Sequence, residues 1–200
     1  VKTVQEVVDV PLSLDTTNAA AMEAGLKVHK GRALINSTSG EEERMKAMLP
    51  LAKQYDADII GLTLTGKGIP RDANERVMVA SEIMTALIGE GISLERLYLD
   101  PLILSVAHMQ AQSMESIEAI RMFKQLNDPP IKTVVGLSNV FNGCPEEIKG
   151  ALGSIYLVML LEAGLDAAIM DPLDDTQMHA LKTFKVFKND ILYCHSYLNQ

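Results

Sequence analysis

Residues 97–101 read LYLDP, a short apolar run that ends in an acidic residue, and this arrangement recurs along the chain. Five further runs end in a small polar or acidic residue: 11–17 (PLSLDTT), 33–37 (ALINS), 58–65 (DIIGLTLT), 133–139 (TVVGLSN) and 167–172 (AAIMDP). Stretches with helical periodicity separate these runs. The pattern predicts repeated strand–helix units, with parallel strands near residues 11–15, 33–36, 58–64, 97–100, 133–138 and 167–170.

Repeated units of this kind predict a parallel α/β barrel of the TIM type, in which the carboxyl ends of the strands line one mouth. Residues 1–10 are expected to form the last part of an amphipathic helix, with Val4, Val7 and Val8 on one face. A closed barrel of eight units typically needs about 250 residues. We therefore expect one domain over residues 1–200, a (β/α)8 barrel that lacks its first two units. An open sheet of six units is the alternative.

Composition excludes several classes of function. The net charge of −8 argues against a nucleic-acid partner, which requires clustered Lys and Arg. No apolar run approaches about 18 residues, so no transmembrane helix is expected. No signal peptide precedes the first predicted strand. The two cysteines, Cys144 and Cys194, have no metal-ligand spacing and indicate reduced thiols in a cytoplasmic protein.

Four polar residues end predicted strands and are expected to converge at the mouth of the barrel. Asp15 and Asp100 follow apolar residues, and a partly buried carboxylate needs hydrogen-bond donors or a cation. Asn36 and Asn139 carry amides, which both donate and accept. A flat heterocycle with adjacent N–H and NH₂ groups suits such a set. The alternatives are that each Asp caps the following helix and that each Asn forms an Asx-turn.

Other catalytic arrangements are not supported by the sequence. None of the four histidines follows a strand or has HExxH spacing, so a metal site is not expected. Neither a GxSxG nucleophile elbow nor a P-loop occurs. The loop over residues 65–74 (TGKGIPRDAN) is basic within an acidic chain. It is either a contact for a phosphate or carboxylate tail, or a solvated connector.

Taken together, the strand ends resemble the pterin-binding family of α/β barrels. Within that family, the chain is similar to the methyltetrahydrofolate:corrinoid/iron–sulfur protein methyltransferases. The resemblance covers nearly the whole chain, in order, through LSLDTTN (12–18), RALINSTSG (32–40), IIGLTLTGKGIPRD (59–72), LYLDPLILS (97–105), KTVVGLSNVFNG (132–143) and GLDAAIMDPLD (164–174).

The resemblance implies a function and a role for each candidate residue. Asp15, Asn36 and Asp100 would hold the pterin ring of methyltetrahydrofolate, and Gly136 and Ser138 would approach it. Asn139 would be catalytic, through a hydrogen bond near N5, the nitrogen that carries the methyl group. The family implies a homodimer that transfers this methyl group to cobalt(I) of a corrinoid (cobalamin) on a separate protein. Acetyl-CoA synthesis is the first expectation for the pathway, and a glycine betaine or other methylamine pathway is the alternative.

Two departures from the family pattern bear on this expectation. The family has about two more strand–helix units at its amino end, with further pterin contacts. Several relatives also have an Arg shortly after the Ser-Asn pair, where residues 140–148 (VFNGCPEEI) are acidic here. Dihydropteroate synthase, which shares the barrel, is an alternative, although its family has Ser-Arg-Lys where this chain has Ser138-Asn139. A folate-binding module without catalytic activity is the other alternative function.

Overall fold

Six parallel strands form one curled sheet in the computed structural model, which describes residues 1–199. The strands are β1 (Ser13–Asp15), β2 (Leu34–Ser39), β3 (Asp58–Leu62), β4 (Leu97–Asp100), β5 (Lys132–Gly136) and β6 (Ala167–Ile169). They neighbour one another in chain order, from β1 to β6. The predicted α/β-barrel architecture is confirmed as a half-barrel.

The helices connect successive strands, as parallel pairing requires. They are α1 (Ala19–Val28), α2 (Glu42–Gln54), α3 (Ala73–Gly89), α4 (Val106–Met109), α5 (Gln112–Phe123), α6 (Glu146–Glu162) and, after β6, α7 (Asp175–Phe187). Short 3₁₀ segments lie at Val4–Glu6, Leu94–Arg96, Leu137–Phe141 and Tyr197–Asn199. No helix within residues 1–199 is both long and apolar enough to span a membrane.

The two faces of the sheet have different roles. Alternate strand residues such as Ile35, Ile59 and Leu99 are fully buried in a core with side chains of the helices, among them Met22 and Met48. Since side chains alternate across a strand, the residues between them face the concave side. A second core, around Val135 and Leu157 among others, covers the β5–β6 end. The concave face is therefore where polar strand residues are available to a ligand.

The sheet is open, since no strand of the described residues pairs with the outer edge of β1 or β6. Six of the eight units of a closed barrel are thus present. That the two absent units are the first two, and that residues 1–200 form one domain, stay predictions.

The predicted amino-terminal helix is wrong. Residues 1–10 contain only the 3₁₀ turn Val4–Glu6, and Val7 is 80% exposed. β-branched valines have low helix propensity, and the valine face has no core to pack against.

Three predicted strand ends also differ from the structure by two residues or more. β3 ends at Leu62 rather than at residue 64. β2 continues to Ser39, so Ser37 and Thr38 are buried strand residues rather than a turn. β5 ends at Gly136, and residues 137–139 belong to the 3₁₀ segment Leu137–Phe141. Leu137 and Val140 are both buried, which is the three-residue spacing of a 3₁₀ helix.

Candidate functional site

The first part of the candidate site lies where β1 and β2 run side by side. Asp15 is the last residue of β1, and it pairs in register with Asn36 of β2. Neighbouring strands lie about 4.8 Å apart, so the two side chains are close and point to the same, concave face. Asp15 is exposed and Asn36 half-buried. Within residues 1–199 neither side chain has a hydrogen-bond partner, which leaves both available to a ligand.

The helix-capping alternative for Asp15 is wrong. The side chain of Asn18, three residues later, caps α1 by accepting a hydrogen bond of 3.0 Å from the Ala21 N–H. Asn36 likewise forms no Asx-turn in the described part of the chain. It lies before the end of β2, at the point where the register with β3 shifts between Ile35 and Thr38.

Asp100 is the best-defined member of the set. It ends β4 and pairs with Leu62, which places its side chain on the concave face. The residue is only 8% exposed. Its Oδ1 accepts a hydrogen bond of 2.8 Å from the Leu102 N–H, and its Oδ2 has no partner among residues 1–199.

The burial of Asp100 changes its acidity. Removal from water raises the pKa of the Asp100 carboxyl to about 7, and the hydrogen bond from Leu102 opposes this rise. The buried side chain of Thr63 holds the main chain here, because its Oγ1 and its N–H both donate to the Asp100 carbonyl at 3.0 Å. The site therefore holds a fixed carboxyl group that is near its titration point at neutral pH.

Gly136 ends β5, and the amide of Asn139 folds back over it. A Cβ atom at position 136 would lie only 3.0 Å from Nδ2 of Asn139. Ser138 and Asn139 are exposed and have no side-chain hydrogen bond within residues 1–199. The structure thus brings Asn139 to the same end of the sheet as Asp100, although β5 ends at Gly136, three residues before Asn139, and not beside it as predicted.

The comparisons with known proteins agree with this geometry. The family model described as pterin binding enzyme matches residues 1–171. The chain belongs to the pterin binding enzyme family. The strand ends described above are therefore those of a pterin-binding enzyme fold.

Several relatives of this pterin binding enzyme are similar over long stretches. A methylcorrinoid:tetrahydrofolate methyltransferase of Eubacterium limosum is 28% identical over 200 residues, 97% of this chain and 71% of the relative. Methionine synthase of Mycobacterium tuberculosis is 33% identical over 170 residues, 80% of this chain. The match spans only 14% of that synthase, and also 14% of methionine synthase of Mycobacterium leprae, which is 31% identical.

Solved structures show the same fold. A dihydropteroate synthetase bound to a product superposes with a TM-score of 0.71 at 17% identity, covering 94% of this chain and 71% of that one. Dihydropteroate synthase of Yersinia pestis in a sulfonamide complex gives 0.70 at 15% identity, covering 95% and 71%. At these identities the likeness concerns the fold alone.

The basic loop of this pterin binding enzyme has one cation without a partner. Arg71 donates through Nε to Glu75 at 2.7 Å, so its charge is already paired. The Lys67 side chain is exposed and unpaired within the described residues. Both interpretations of the loop stay open. No cluster of His, Cys, Asp or Glu with metal-binding geometry occurs in residues 1–199.

Sequence reasoning missed the residues that hold the strand ends in place. Thr63 follows β3, and its bond to Asp100 joins residues 37 positions apart. Arg44 on α2 donates to carbonyls of the loop after β1 and of β2 itself, and Arg76 on α3 donates to a carbonyl of the loop after β4. Thr63 was predicted to lie inside the third strand, near residues 58–64, so no separate signal in the sequence pointed to it. Both arginines lie within helical stretches, where the sequence gives no indication of their partners.

Proposed function

We propose that this protein binds a reduced folate at the mouth of its half-barrel and transfers the N5 methyl group from methyltetrahydrofolate to a corrinoid cobalt on another protein. Family membership supports a pterin ligand. The names of the relatives, a methylcorrinoid:tetrahydrofolate methyltransferase and methionine synthases, support a methyl group as the cargo.

The observation that carries the proposal is the free oxygen of Asp100. A buried carboxylate is unfavourable unless donors pair with it. The Leu102 N–H satisfies one oxygen and nothing in residues 1–199 satisfies the other. A pterin presents an N3–H and a 2-amino group side by side, and these two donors suit an ionised carboxylate as a charge-assisted pair. Asp100 would therefore bind and orient the ring rather than react with it.

The remaining contacts would come from the neighbouring strands. Asp15 accepts and Asn36 both donates and accepts, which suits the mixed polar edge of the pteridine. Gly136 lets the ring approach the β5 main chain because it has no Cβ, and Ser138 lies just beyond it.

Asn139 would be the catalytic residue. A methyl group on a tertiary amine leaves readily only when that nitrogen becomes positive. The cobalt(I) acceptor supplies the electron pair for the new carbon–cobalt bond, while N5 keeps the pair of the broken bond and its added proton. The Asn139 amide cannot supply that proton, but its oxygen can accept a hydrogen bond from protonated N5 and stabilise the charge. Orientation and charge stabilisation are the protein's contributions.

The reverse reaction would use the same site, because methyl transfer from folate to corrinoid and from corrinoid to folate passes through the same transition state. The name of the Eubacterium limosum relative states that direction, from methylcorrinoid to tetrahydrofolate. A corrinoid protein would be the partner in either direction. A homodimer, a cytoplasmic location and a role in acetyl-CoA synthesis belong to the same proposal.

The test is methyl transfer by the purified protein in both directions. Methyltetrahydrofolate with cob(I)alamin should give methylcobalamin, whose formation is measured by its absorbance. Methylcobalamin with tetrahydrofolate should give cob(I)alamin and methyltetrahydrofolate. A parallel reaction supplies a dihydropterin pyrophosphate and p-aminobenzoate. Dihydropteroate formation without methyl transfer would replace the proposal with a synthase, and folate binding without either reaction would leave a binding module.

A further inference from the structure

Arg44 joins the loop after β1 to the β2 main chain, next to the Asp15–Asn36 pair. Its Nη1 donates to the carbonyl of Thr17 at 2.6 Å, and its Nη2 donates to the carbonyl of Ser37. Thr17 lies two residues after Asp15, and Ser37 directly follows Asn36. One guanidinium group therefore connects the main chain beside both candidate residues.

Arg76 acts in the same way on the loop after β4. Its side chain is fully buried, with 0% exposure. Nε donates to the carbonyl of Pro101 at 2.7 Å, and Nη2 donates to Oε1 of Gln112 at 2.8 Å. Pro101 is the residue directly after Asp100. The guanidinium thus holds the main chain at the point where the candidate carboxylate leaves the strand.

These two arginines differ from the other four in the chain. All four others form ion pairs with Asp or Glu: Arg32, Arg71, Arg96 and Arg121. Within residues 1–199, neither Arg44 nor Arg76 has such a pair. A buried guanidinium without a carboxylate is costly, and apolar side chains of similar volume often stabilise a fold as well or better. Glu115 favours the charge of Arg76 from a distance, but the direct contacts of the guanidinium are the Pro101 carbonyl and Gln112.

The loop after Asp100 needs support of this kind. Leu102 has a positive φ of 63°, which is unfavourable for a residue with a Cβ atom. That conformation directs the Leu102 N–H to Oδ1 of Asp100. Such a conformation persists only where the surroundings hold it. Arg76 holds the intervening carbonyl, so its loss should release Leu102 and, with it, the orientation of Asp100.

We propose that Arg44 and Arg76 are positioning residues that fix the strand ends of the pterin site through main-chain carbonyls. This inference rests on the proposed function for its ligand. It predicts that loss of either arginine weakens folate binding although neither side chain touches the ring.

The first experiment measures methyltetrahydrofolate affinity by titration calorimetry in Arg76→Met, Arg76→Lys and Arg44→Met. Loss of a hydrogen-bond partner that orients a metal ligand typically costs about tenfold to a hundredfold in affinity or activity, and the lower end of that range is the guide for a group that orients Asp100. We expect about that loss for both Met variants and a smaller one for Arg76→Lys, which keeps a donor and the charge. Because Arg44 is only half-buried, its variant provides the test if Arg76→Met does not fold.

The matched control is Arg96→Met. Arg96 donates to the Asp56 carbonyl at 2.6 Å and pairs with the Asp56 carboxylate, but it precedes β4 at the opposite end of the sheet. We expect a lower melting temperature with unchanged folate affinity. Equal losses of affinity in Arg96→Met and Arg76→Met would show a general loss of stability and overturn the inference.

A second readout needs no ligand. The Leu102 amide should exchange its hydrogen faster in Arg76→Met than in wild type or Arg96→Met, since its hydrogen bond to Asp100 is released. Unchanged exchange would overturn the inference, and so would faster exchange with wild-type affinity. If wild type does not bind folate, the proposed function fails instead, and the exchange data still decide whether Arg76 fixes the loop.

Discussion

Replacing Asp100 by Asn should stabilise the free protein and weaken its binding of folate. The substitution keeps the shape of the side chain and an oxygen that can accept from the Leu102 N–H. It removes the ionisation, and it replaces the second acceptor oxygen with a donor. The two effects have opposite signs because the carboxylate is unfavourable in the empty fold and favourable against a ligand with two donors.

The effect on stability depends on pH. The pKa of Asp100 is about 7 in the fold, against an ordinary value of 3.8. Below about pH 4 the group is protonated in both states and the ionisation has no effect. Between the two values only the unfolded chain loses the proton, so stability falls as pH rises, and the loss is complete above pH 7. The difference of about three units corresponds to about 4 kcal/mol.

Denaturant unfolding of wild type and Asp100→Asn at pH 4, 6 and 8 tests this reasoning. The stability of the variant relative to wild type should increase with pH, by up to about 4 kcal/mol at pH 8. A difference that does not change with pH would refute the assignment of a buried, titrating carboxyl to Asp100.

Titration calorimetry with methyltetrahydrofolate tests the second effect. Hydrogen bonds to a charged group are worth about 1.5–3 kcal/mol, so Asp100→Asn should bind about tenfold to a hundredfold more weakly at pH 8. Wild-type affinity should rise as pH increases through about 7, where Asp100 ionises. Equal affinity in the two proteins would remove Asp100 from the site.

Asp166→Asn is the matched control for these measurements. Asp166 precedes β6 at the far end of the sheet, where its carboxylate accepts from the Thr133 N–H and from Nζ of Lys124, both at 2.7 Å. This variant should lose stability and keep wild-type folate affinity.

Three other outcomes are expected from the same structure. Gly136→Ala should weaken folate binding by displacing the Asn139 amide, which lies 3.0 Å from the new Cβ. Titration calorimetry should show lower affinity while the melting temperature changes little, and wild-type affinity would contradict this. Asn18→Ala should cost about 1 kcal/mol in denaturant unfolding through loss of the helix cap on Ala21, with affinity unchanged. The 200-residue chain should self-associate as its concentration rises because β1 and β6 are open edges, and a monomer at every concentration in sedimentation would contradict this.

The strands could be predicted because each lies in a short apolar run that ends in a small polar or acidic residue. Asp15 and Asp100 do end β1 and β4. The end of β2 could not be predicted from this pattern, because Ser37 and Thr38 are residue types that are common in turns. Thr38 pairs with Gly61 of β3 and is fully buried, so its environment in the sheet overrides its local preference.

The position of Asn139 was predictable in part. A strand through residue 139 would place Asn139 on the same face as the buried Val135 and Leu137, which is inconsistent with its exposure. The three-residue spacing of Leu137 and Val140 was the available signal for a 3₁₀ turn. By contrast, the hydrogen bonds of Arg44 and Arg76 join residues up to 36 positions apart and have no local signature.

The central claim is that this mouth transfers a methyl group through charge stabilisation by Asn139. The most direct measurement is the single-turnover rate of methyl transfer from saturating methyltetrahydrofolate to cob(I)alamin, in wild type and in Asn139→Ala. An interaction that is stronger in the transition state affects kcat as well as kcat/KM. We expect the variant to be about tenfold to a thousandfold slower while its melting temperature shows that it is folded. A wild-type rate in folded Asn139→Ala would contradict the claim.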